Sequence, residues 1–328
     1  MTAVAPRGKG ALRRLARAIG EPVGLGAILL LRFSSRKAGV ALMYHSVEQR
    51  AGDPAFELVP PHHSDVFDKQ VRHVSRHYRV VPASELQDAA RRRRRGERFP
   101  VAITFDDDLA CHAEIALPIL VRHDVTATFF LSGASLERPF AFWYERLQRA
   151  YDERVERLPA LVLGEPVATG QPTLHELALV VEELDPDDRD SVANRLAAEL
   201  GNDPKNAGMR ADQVRELADA GMTIGFHTLR HDSLSLLDDE RLDSALVDGR
   251  GVLAEAAGQS VDVIGYPHGR ADVRVAGRAR AAGFVAGFST RPAAVTPDAD
   301  PLLQGRIAPT FWSVGGFAIQ LALTLRRA

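Results

Sequence analysis

Two short segments, far apart in the chain, carry residues whose types and spacing suit metal-assisted hydrolysis. In the first, Asp106 and Asp107 follow the apolar run 101–105, and in the second, His227 and His231 follow the apolar run 224–226. Two imidazoles and one carboxylate suit a divalent cation such as Zn²⁺, and three protein ligands leave positions open for water and substrate, as in a catalytic site. The other aspartate of the pair is then free to transfer a proton.

These residues must be positioned by the elements that precede them. Strand-like runs alternate with helical patterns, which predicts an α/β fold with a parallel sheet. The predicted strands are 40–44, 78–81, 101–105, 126–131, 223–226, 261–266 and 284–288, and the predicted helices are 67–78, 83–95, 113–123, 211–220, 239–257 and 273–282. The aspartate pair, His227 and the segment 265–269 therefore all lie at carboxyl ends of strands, where α/β barrels assemble their active sites.

Three further segments flank or interrupt this alternation. Residues 136–204 are mostly helical and polar, and we interpret them as an insertion in a domain that spans 39–313, with 314–328 as a C-terminal tail. Residues 1–38 form a basic amphipathic extension whose apolar stretch, 23–31, is shorter than the roughly 20 residues that span a bilayer and lacks a cleavage pattern. We predict a cytoplasmic protein, and peripheral contact of this extension with an anionic membrane surface stays open.

Composition excludes several classes of function. The chain has 328 residues, 45% of them hydrophobic, and a net charge of -2, which fits a soluble enzyme with a substantial core and argues against a nucleic-acid partner. The basic run Arg91 to Arg95 is interpreted as a solvated helix end favoured by the helix dipole. The sequence contains one cysteine, Cys111, so it has no disulfide framework and no cysteine-rich metal cluster. Any metal must therefore be bound by histidines and carboxylates.

The three segments together resemble the motifs of the polysaccharide deacetylase family, which is defined by the NodB homology domain (carbohydrate esterase family 4). Thr104-Phe105-Asp106-Asp107 resembles the first motif, His227-Thr228-Leu229-Arg230-His231 the second, and Tyr266-Pro267-His268-Gly269 a variant of the third. The similarity covers residues 39–135 and 205–312. It implies a distorted, incomplete (β/α) barrel, interrupted here by the helical insertion, and one divalent metal ion. Zn²⁺ is the first expectation, with Co²⁺, Ni²⁺ and Mn²⁺ as alternatives.

The resemblance also implies a role for individual residues of this sequence. It makes Asp107, His227 and His231 the metal ligands and Asp106 the general base. It places substrate and oxyanion contacts at Tyr266, Pro267 and His268, with the backbone N–H of His268 as an oxyanion donor. A water acidified by the cation would lose its proton to Asp106 and attack an acetamide carbonyl.

Two departures from the family pattern lie around the aspartate pair. The glycine that usually follows the pair is Asp108 here, and its carboxylate either hydrogen-bonds outward or raises the pKa of the base by like-charge repulsion. The arginine that commonly opens the third motif is replaced by Gly265. We therefore expect Asp106 to be oriented from elsewhere, with Arg306 as the candidate.

A third departure concerns the general acid. No histidine follows His268, whereas the family usually supplies this acid from a carboxy-terminal histidine. Some branches have a permuted order, in which a Tyr-His pair at an amino-terminal strand provides it, and Tyr44-His45 resembles that pair. His45 is our candidate general acid, because the pKa range of histidine suits proton donation near neutral pH.

We predict a metal-dependent hydrolase that removes the acetyl group from an N-acetylated sugar in a glycan, glycolipid or glycan precursor. Two alternatives stay open: removal of formyl or cleavage of another amide, and a catalytically impaired carbohydrate-binding protein. The position of His45 distinguishes an enzyme from the impaired binding protein, because an enzyme needs a proton donor inside the site. Trp143, Tyr144 and Trp312 are candidates for stacking on sugar rings, although packing is the favoured role for at least two of them.

Overall fold

The computed structural model describes residues 8–164, 172–311 and 313–328, with side chains from residue 20 onward. Trp312, one of the candidate stacking residues, lies outside the described residues.

Parallel strands form one curled sheet, as the alternating sequence pattern predicts. The described strands are β1 (Val40–Tyr44), β2 (Val47–Glu48), β3 (His62–His63), β4 (Arg79–Val80), β5 (Pro100–Asp106), β6 (Thr128–Leu131), β7 (Thr223–Phe226), β8 (Val263–Gly265) and β9 (Ala286–Phe288). The order in the main sheet is β1-β5-β6-β7-β8-β9, with β4 beside β5, while β2 and β3 pair with each other. Every residue of β5 is buried, which explains its continuous apolar sequence.

Helices cover the sheet and fill the insertion. The described α-helices are α1 (Gly8–Arg32), α2 (Ser64–His77), α3 (Leu86–Arg92), α4 (Leu117–Arg122), α5 (Trp143–Asp152), α6 (Leu158–Leu163), α7 (Leu174–Glu182), α8 (Pro186–Leu200), α9 (Ala211–Asp219), α10 (Asp239–Val247), α11 (Arg250–Ala257), α12 (Val273–Ala281) and α13 (Val314–Arg327). A π-turn at His112–Ala116 leads into α4, and a short 3₁₀ turn lies at Pro267–Gly269.

A short extended segment after β9 links the two edges of the curled sheet. Gln304 forms a parallel bridge with Phe288 of β9, and Ile307 forms one with Leu42 of β1. Arg306 lies between these bridges and is therefore fixed against β1. The predicted distorted, incomplete (β/α) barrel is confirmed.

The insertion has its own hydrophobic core, separate from that of the barrel. Helices α5 to α8 bury apolar side chains against one another, among them Leu147, Leu177, Val192 and Leu196. The barrel core contains Leu42, Phe105, Phe129, Ile224 and Ile264. The prediction of a mostly helical insertion is confirmed for the part of 136–204 that the structure describes.

The predicted extension and tail form two helices that pack on each other. A Cβ atom added at Gly24 of α1 would lie 2.6 Å from the Cβ of Ala318 in α13, so the two backbones approach closely. Phe317 and Leu321 of α13 and Ile28 of α1 belong to the barrel core. The limits 1–38 and 314–328 as separate units stay predictions. Among the described residues, none of the helices combines the length and apolarity needed to cross a membrane.

One predicted helix is wrong in its extent. The pattern over 239–257 predicts a single helix, whereas the structure has α10 and α11 separated at Asp248 and Gly249. Gly249 has a φ of 79°, in the left-handed region where glycine carries no steric penalty. The apolar spacing continues across this break, so periodicity alone could not locate it.

Candidate active site

Asp107, His227 and His231 converge at the carboxyl edge of the sheet. The Oδ1 atom of Asp107 lies 3.5 Å from Nε2 of His227 and 3.4 Å from Nε2 of His231. One candidate ligand atom from each residue lies within 4.8 Å of the others, and all three residues are buried. Asp107 follows β5 with a φ of 73°, a left-handed conformation that aspartate tolerates better than most residues. The turn after β5 therefore brings this carboxylate to the HxxxH segment.

A hydrogen bond to the third segment fixes the tautomer of His227. Its Nδ1 donates to the Gly265 carbonyl oxygen at 2.7 Å. Because a carbonyl oxygen only accepts, Nδ1 carries the proton and Nε2 keeps its lone pair toward Asp107. Burial lowers the pKa of His227 to about 4, which favours the neutral ring that a metal ligand must have. A backbone carbonyl behind a histidine is the usual support of a metal ligand.

The donor set fits a divalent metal ion. Within the described parts of the chain, Asp107 Oδ1 is buried and has no hydrogen-bond partner, so the carboxylate faces the two imidazoles with an acceptor to spare. Burial tends to raise the pKa of Asp107, but the interaction with the nearby His231 imidazole outweighs it, and the pKa lies below its usual range. An ionised carboxylate with two imidazole nitrogens is a donor set that suits zinc and neighbouring divalent metals.

Asp106 is held from behind by Arg306. The guanidinium donates Nη1 to Oδ1 at 2.5 Å and Nη2 to Oδ2 at 2.7 Å, and Nη1 also reaches the Thr104 hydroxyl at 3.2 Å. Burial tends to raise the pKa of Asp106, but the charge of Arg306 outweighs it and the pKa lies below its ordinary value. Arg306 therefore lies against Asp106, the residue that we expected it to orient.

His45 lies beside Asp106 and lines the same cavity as the metal triad. Its Nε2 is 3.8 Å from Oδ2 of Asp106. The imidazole is 33% exposed, so it can reach both the cavity and solvent. A histidine inside the cavity is what we expect of an enzyme rather than of an impaired binding protein.

Asp108 points away from the catalytic pair. Its carboxylate accepts hydrogen bonds from the backbone N–H of Ser132 at 2.7 Å and of Ala134 at 3.2 Å, and from the Ser132 hydroxyl at 2.6 Å. Of the two options that the sequence left open, the structure shows outward hydrogen bonding. Asp108 therefore ties the end of β5 to the loop after β6.

The third segment lines the cavity with His268 and Gly269. The Tyr266 N–H donates to the Phe288 carbonyl and its hydroxyl donates to the Leu302 carbonyl at 2.8 Å, so this tyrosine is part of the core. Neither Tyr266 nor Pro267 is among the residues that line the cavity. The hydrogen bonds hold Tyr266 in the core, and the substrate contacts of Tyr266 and Pro267 stay predictions. His268, which does line the cavity, has a φ of 56°.

The triad opens into a cavity of about 280 Å³ whose other wall comes from the insertion. Sequence analysis missed most of this wall, which depends on how the insertion packs. Trp143 and Tyr144 were considered only as stacking residues. The insertion contributes Trp143, Tyr144, His175, Ala178, Leu179 and Glu182, and Leu58 and Val59 also line the cavity.

Comparisons with known proteins agree with this geometry. A family model described as polysaccharide deacetylase matches residues 93–159 and 195–287. The putative polysaccharide deacetylase YxkH of Bacillus subtilis (strain 168) is 29% identical over 87 residues. That alignment covers 26% of this chain and 31% of YxkH, so the chain matches less than a third of this relative.

Two solved structures share the fold over most of both chains. The Streptococcus pyogenes deacetylase PplD, in complex with acetate, superposes with a TM-score of 0.58 at 18% identity, over 87% of this chain and 98% of PplD. IcaB from Ammonifex degensii superposes with a TM-score of 0.54 at 19% identity, over 86% of this chain and 97% of IcaB. These likenesses confirm the fold. The match to the family model assigns residues 93–159 and 195–287 to the polysaccharide deacetylase family.

Proposed function

We propose that this protein is a metal-dependent N-deacetylase that acts on an N-acetylated sugar of a glycan, glycolipid or glycan precursor. The family match classes the chain with hydrolases of carbohydrate-linked acyl groups, in agreement with the sequence prediction. The observation that carries the proposal is one cavity in which an Asp/His/His triad, with an unpaired carboxylate oxygen, lies beside an arginine-held aspartate.

Asp107, His227 and His231 would hold the metal ion. When bound there, a divalent cation supplies Lewis acidity to water and to the acyl carbonyl. Zn²⁺ is the first candidate, and Co²⁺, Ni²⁺ and Mn²⁺ suit the same donors.

The residues around the triad divide the proton transfers between them. Asp106 accepts the proton of the attacking water, and Arg306 keeps both of its oxygens in place. The same arginine holds the pKa of Asp106 below its ordinary value, which keeps Asp106 ionised as a base. His45, beside Asp106, donates a proton to the leaving nitrogen. The His268 N–H is the proposed oxyanion donor.

Substitutions separate these roles. We expect His227→Ala and His231→Ala to lose metal and activity together, and Asp106→Asn to lose activity while keeping the metal. His45→Ala should reduce turnover without releasing the metal. Asp212→Asn, an exposed carboxyl on α9, is the control. The measurements are bound metal by elemental analysis and acetate release from N-acetylated oligosaccharides.

Each result has a contrary outcome. Full activity of Asp106→Asn would show that the base lies elsewhere, and full turnover of His45→Ala would move the acid role. Stoichiometric metal without acetate release from the wild type would favour the alternatives, a different acyl group such as formyl or a binding role. Formate release from N-formylated sugars separates those two.

We also propose that α1 contacts an anionic membrane surface, while a cytoplasmic location stays a prediction. Leu30 of α1 and Phe33, in the turn directly after α1, are 78% and 64% exposed. Buried Arg93 donates to the Arg32 and Arg36 carbonyls at 2.7 Å, which places the rest of the basic run 91–95 beside the end of α1. Exposed apolar side chains flanked by cationic ones favour an anionic lipid interface.

Vesicle sedimentation tests this contact. The protein should bind vesicles that contain anionic lipid and not neutral ones, and Leu30→Glu should weaken binding. Val252→Glu, an exposed apolar residue on α11, is the matched control. Equal binding to both kinds of vesicle, or none, would contradict the contact.

A further inference from the structure

Helix α5 of the insertion carries a tyrosine into the metal triad. Tyr144 lines the cavity together with Asp106 and Asp107, and its ring centroid lies 5.7 Å from that of His231. The side chain is only 7% exposed. Its hydroxyl faces the Asp107 carboxylate but makes no hydrogen bond of ordinary length to any of residues 20–164, 172–311 and 313–328. A buried hydroxyl without a partner is rare in proteins and indicates a missing ligand.

The position of Tyr144 is fixed by contacts on both sides of it. The N–H of Phe142 donates to the Glu145 carboxylate at 2.8 Å, which sets the start of α5. Farther along the helix, Leu147 and Ala150 are completely buried in the core of the insertion. Trp143, the other residue of this turn, stacks on His268 with ring centroids 6.5 Å apart. The tyrosine therefore reaches the cavity on a rigid helix rather than on a loop.

A buried ion pair joins the insertion to the segment that holds His231. Arg189 of α8 pairs with Asp232 and also reaches the Arg230 carbonyl at 3.4 Å. Both members of the pair are buried, and Asp232 directly follows His231. The insertion and the metal-binding segment are thus connected at a second point, so the distance between Tyr144 and the triad is set by the fold.

We propose that the Tyr144 hydroxyl donates a hydrogen bond to the acyl oxygen of the substrate. This inference rests on the proposed deacetylase function and adds a residue from the insertion to it. The acyl oxygen gains negative charge when water attacks the carbonyl carbon, and a donor already in place there stabilises that charge.

In this role the phenol keeps its proton and acts as a hydrogen-bond donor, not as an acid. The hydroxyl thus donates one of the hydrogen bonds that the acyl oxygen accepts. The insertion, on this account, completes the chemistry as well as the wall of the cavity.

The variant Tyr144→Phe removes the hydroxyl and keeps the ring. The matched control is Tyr151→Phe, which alters an exposed tyrosine two turns along the same helix. For Tyr144→Phe we expect kcat for acetate release to fall by about 100-fold, the usual effect of losing one oxyanion donor. Metal content and KM should stay at wild-type values, and Tyr151→Phe should match the wild type throughout.

A second readout does not depend on turnover. Acetate, the proposed product, offers a carboxylate oxygen in place of the acyl oxygen, and calorimetry should show it binding about tenfold more weakly to Tyr144→Phe. Wild-type kcat in this variant, or a loss of metal together with activity, would overturn the proposal, because the hydroxyl would then be idle or would serve Asp107.

The two proposals fail in different ways. If the wild type and Tyr151→Phe release no acetate, the deacetylase function fails, and acetate binding still tests the hydroxyl. Equal acetate affinity of wild type and Tyr144→Phe, or no binding by either, would then overturn the contact with Tyr144.

Discussion

At the scale of residues, the site depends on the pairing of Arg306 with Asp106. Two parallel N–H···O contacts fix the carboxylate in a single orientation, which a point charge such as lysine cannot do. The guanidinium reaches Asp106 because residue 306 lies between the bridges to β9 and β1. Asp106, at the end of β5, is therefore oriented by a residue that follows β9, the last strand in the chain order of the barrel.

Substitution of Arg306 should change both rate and pH dependence. We expect Arg306→Lys to lower kcat by about tenfold or more, because the base loses its fixed orientation. Arg306→Met removes the charge that keeps the pKa of Asp106 low, and burial then raises that pKa. Since Asp106 works as an anion, the acidic limb of the kcat–pH profile should move to higher pH. Arg291→Met, an exposed neighbour, is the control, and an unshifted profile for Arg306→Met would contradict this assignment.

Several site residues could be predicted because strand ends and short motifs fix them locally. Asp107 and His227 directly follow buried strands, so the sequence indicates that they share one edge of the sheet. Because Gly265 stands where the family commonly has an arginine, we expected another arginine to orient Asp106, and Arg306 was the candidate. Tyr144 could not be predicted in this role, because its distance from the triad depends on how α5 packs within the insertion. The core placement of Tyr266 was not predicted either, because its hydroxyl and N–H donate to the carbonyls of Leu302 and Phe288, which are distant in sequence.

At the scale of elements, α1 and α13 depend on glycines where they cross. Gly24→Ala would place a Cβ 2.6 Å from atoms of Ala318, and two backbones would have to separate. We expect this variant to lower the free energy of unfolding by roughly 1–3 kcal/mol, as overpacking does.

The control for this prediction lies on the same helix. Gly26 has nothing within 4 Å of an added Cβ, so Gly26→Ala should raise stability by about 0.5–1 kcal/mol through helix propensity. Urea denaturation measures both. Equal effects of the two substitutions would show that α1 does not pack closely on α13.

Helix boundaries show where sequence patterns stop being informative. The predicted strand 40–44 matches β1, since a buried strand has a continuous apolar run. The predicted helix 239–257 did not include the break at Gly249, because the apolar spacing runs through it. The bridging segment 304–307 was not predicted as a strand. Its pairing comes from two strands distant in sequence, and no local pattern encodes that.

At the scale of the whole molecule, the insertion and the barrel act as one unit through Arg189 and Asp232. The pair is buried, so removing one partner leaves the other charge unpaired. We expect Arg189→Met to reduce the free energy of unfolding by about 3–5 kcal/mol and to weaken metal binding through the adjacent His231.

An exposed ion pair of the same region serves as the comparison. Arg241 pairs with Asp187 on the surface, and Arg241→Met should cost no more than about 1 kcal/mol. Chemical denaturation and a metal-binding isotherm check both variants. If Arg189→Met behaved like Arg241→Met, the insertion would not be coupled to the metal-binding segment.

The measurement that tests the account most directly is acetate release from N-acetylated oligosaccharides before chelation, after chelation, and after a divalent metal is restored. We predict release by the purified protein, loss of release when the metal is removed, and recovery on adding Zn²⁺ or another suitable metal. Release that continues unchanged after complete removal of the metal would contradict the central claim that Asp107, His227 and His231 hold a catalytic ion.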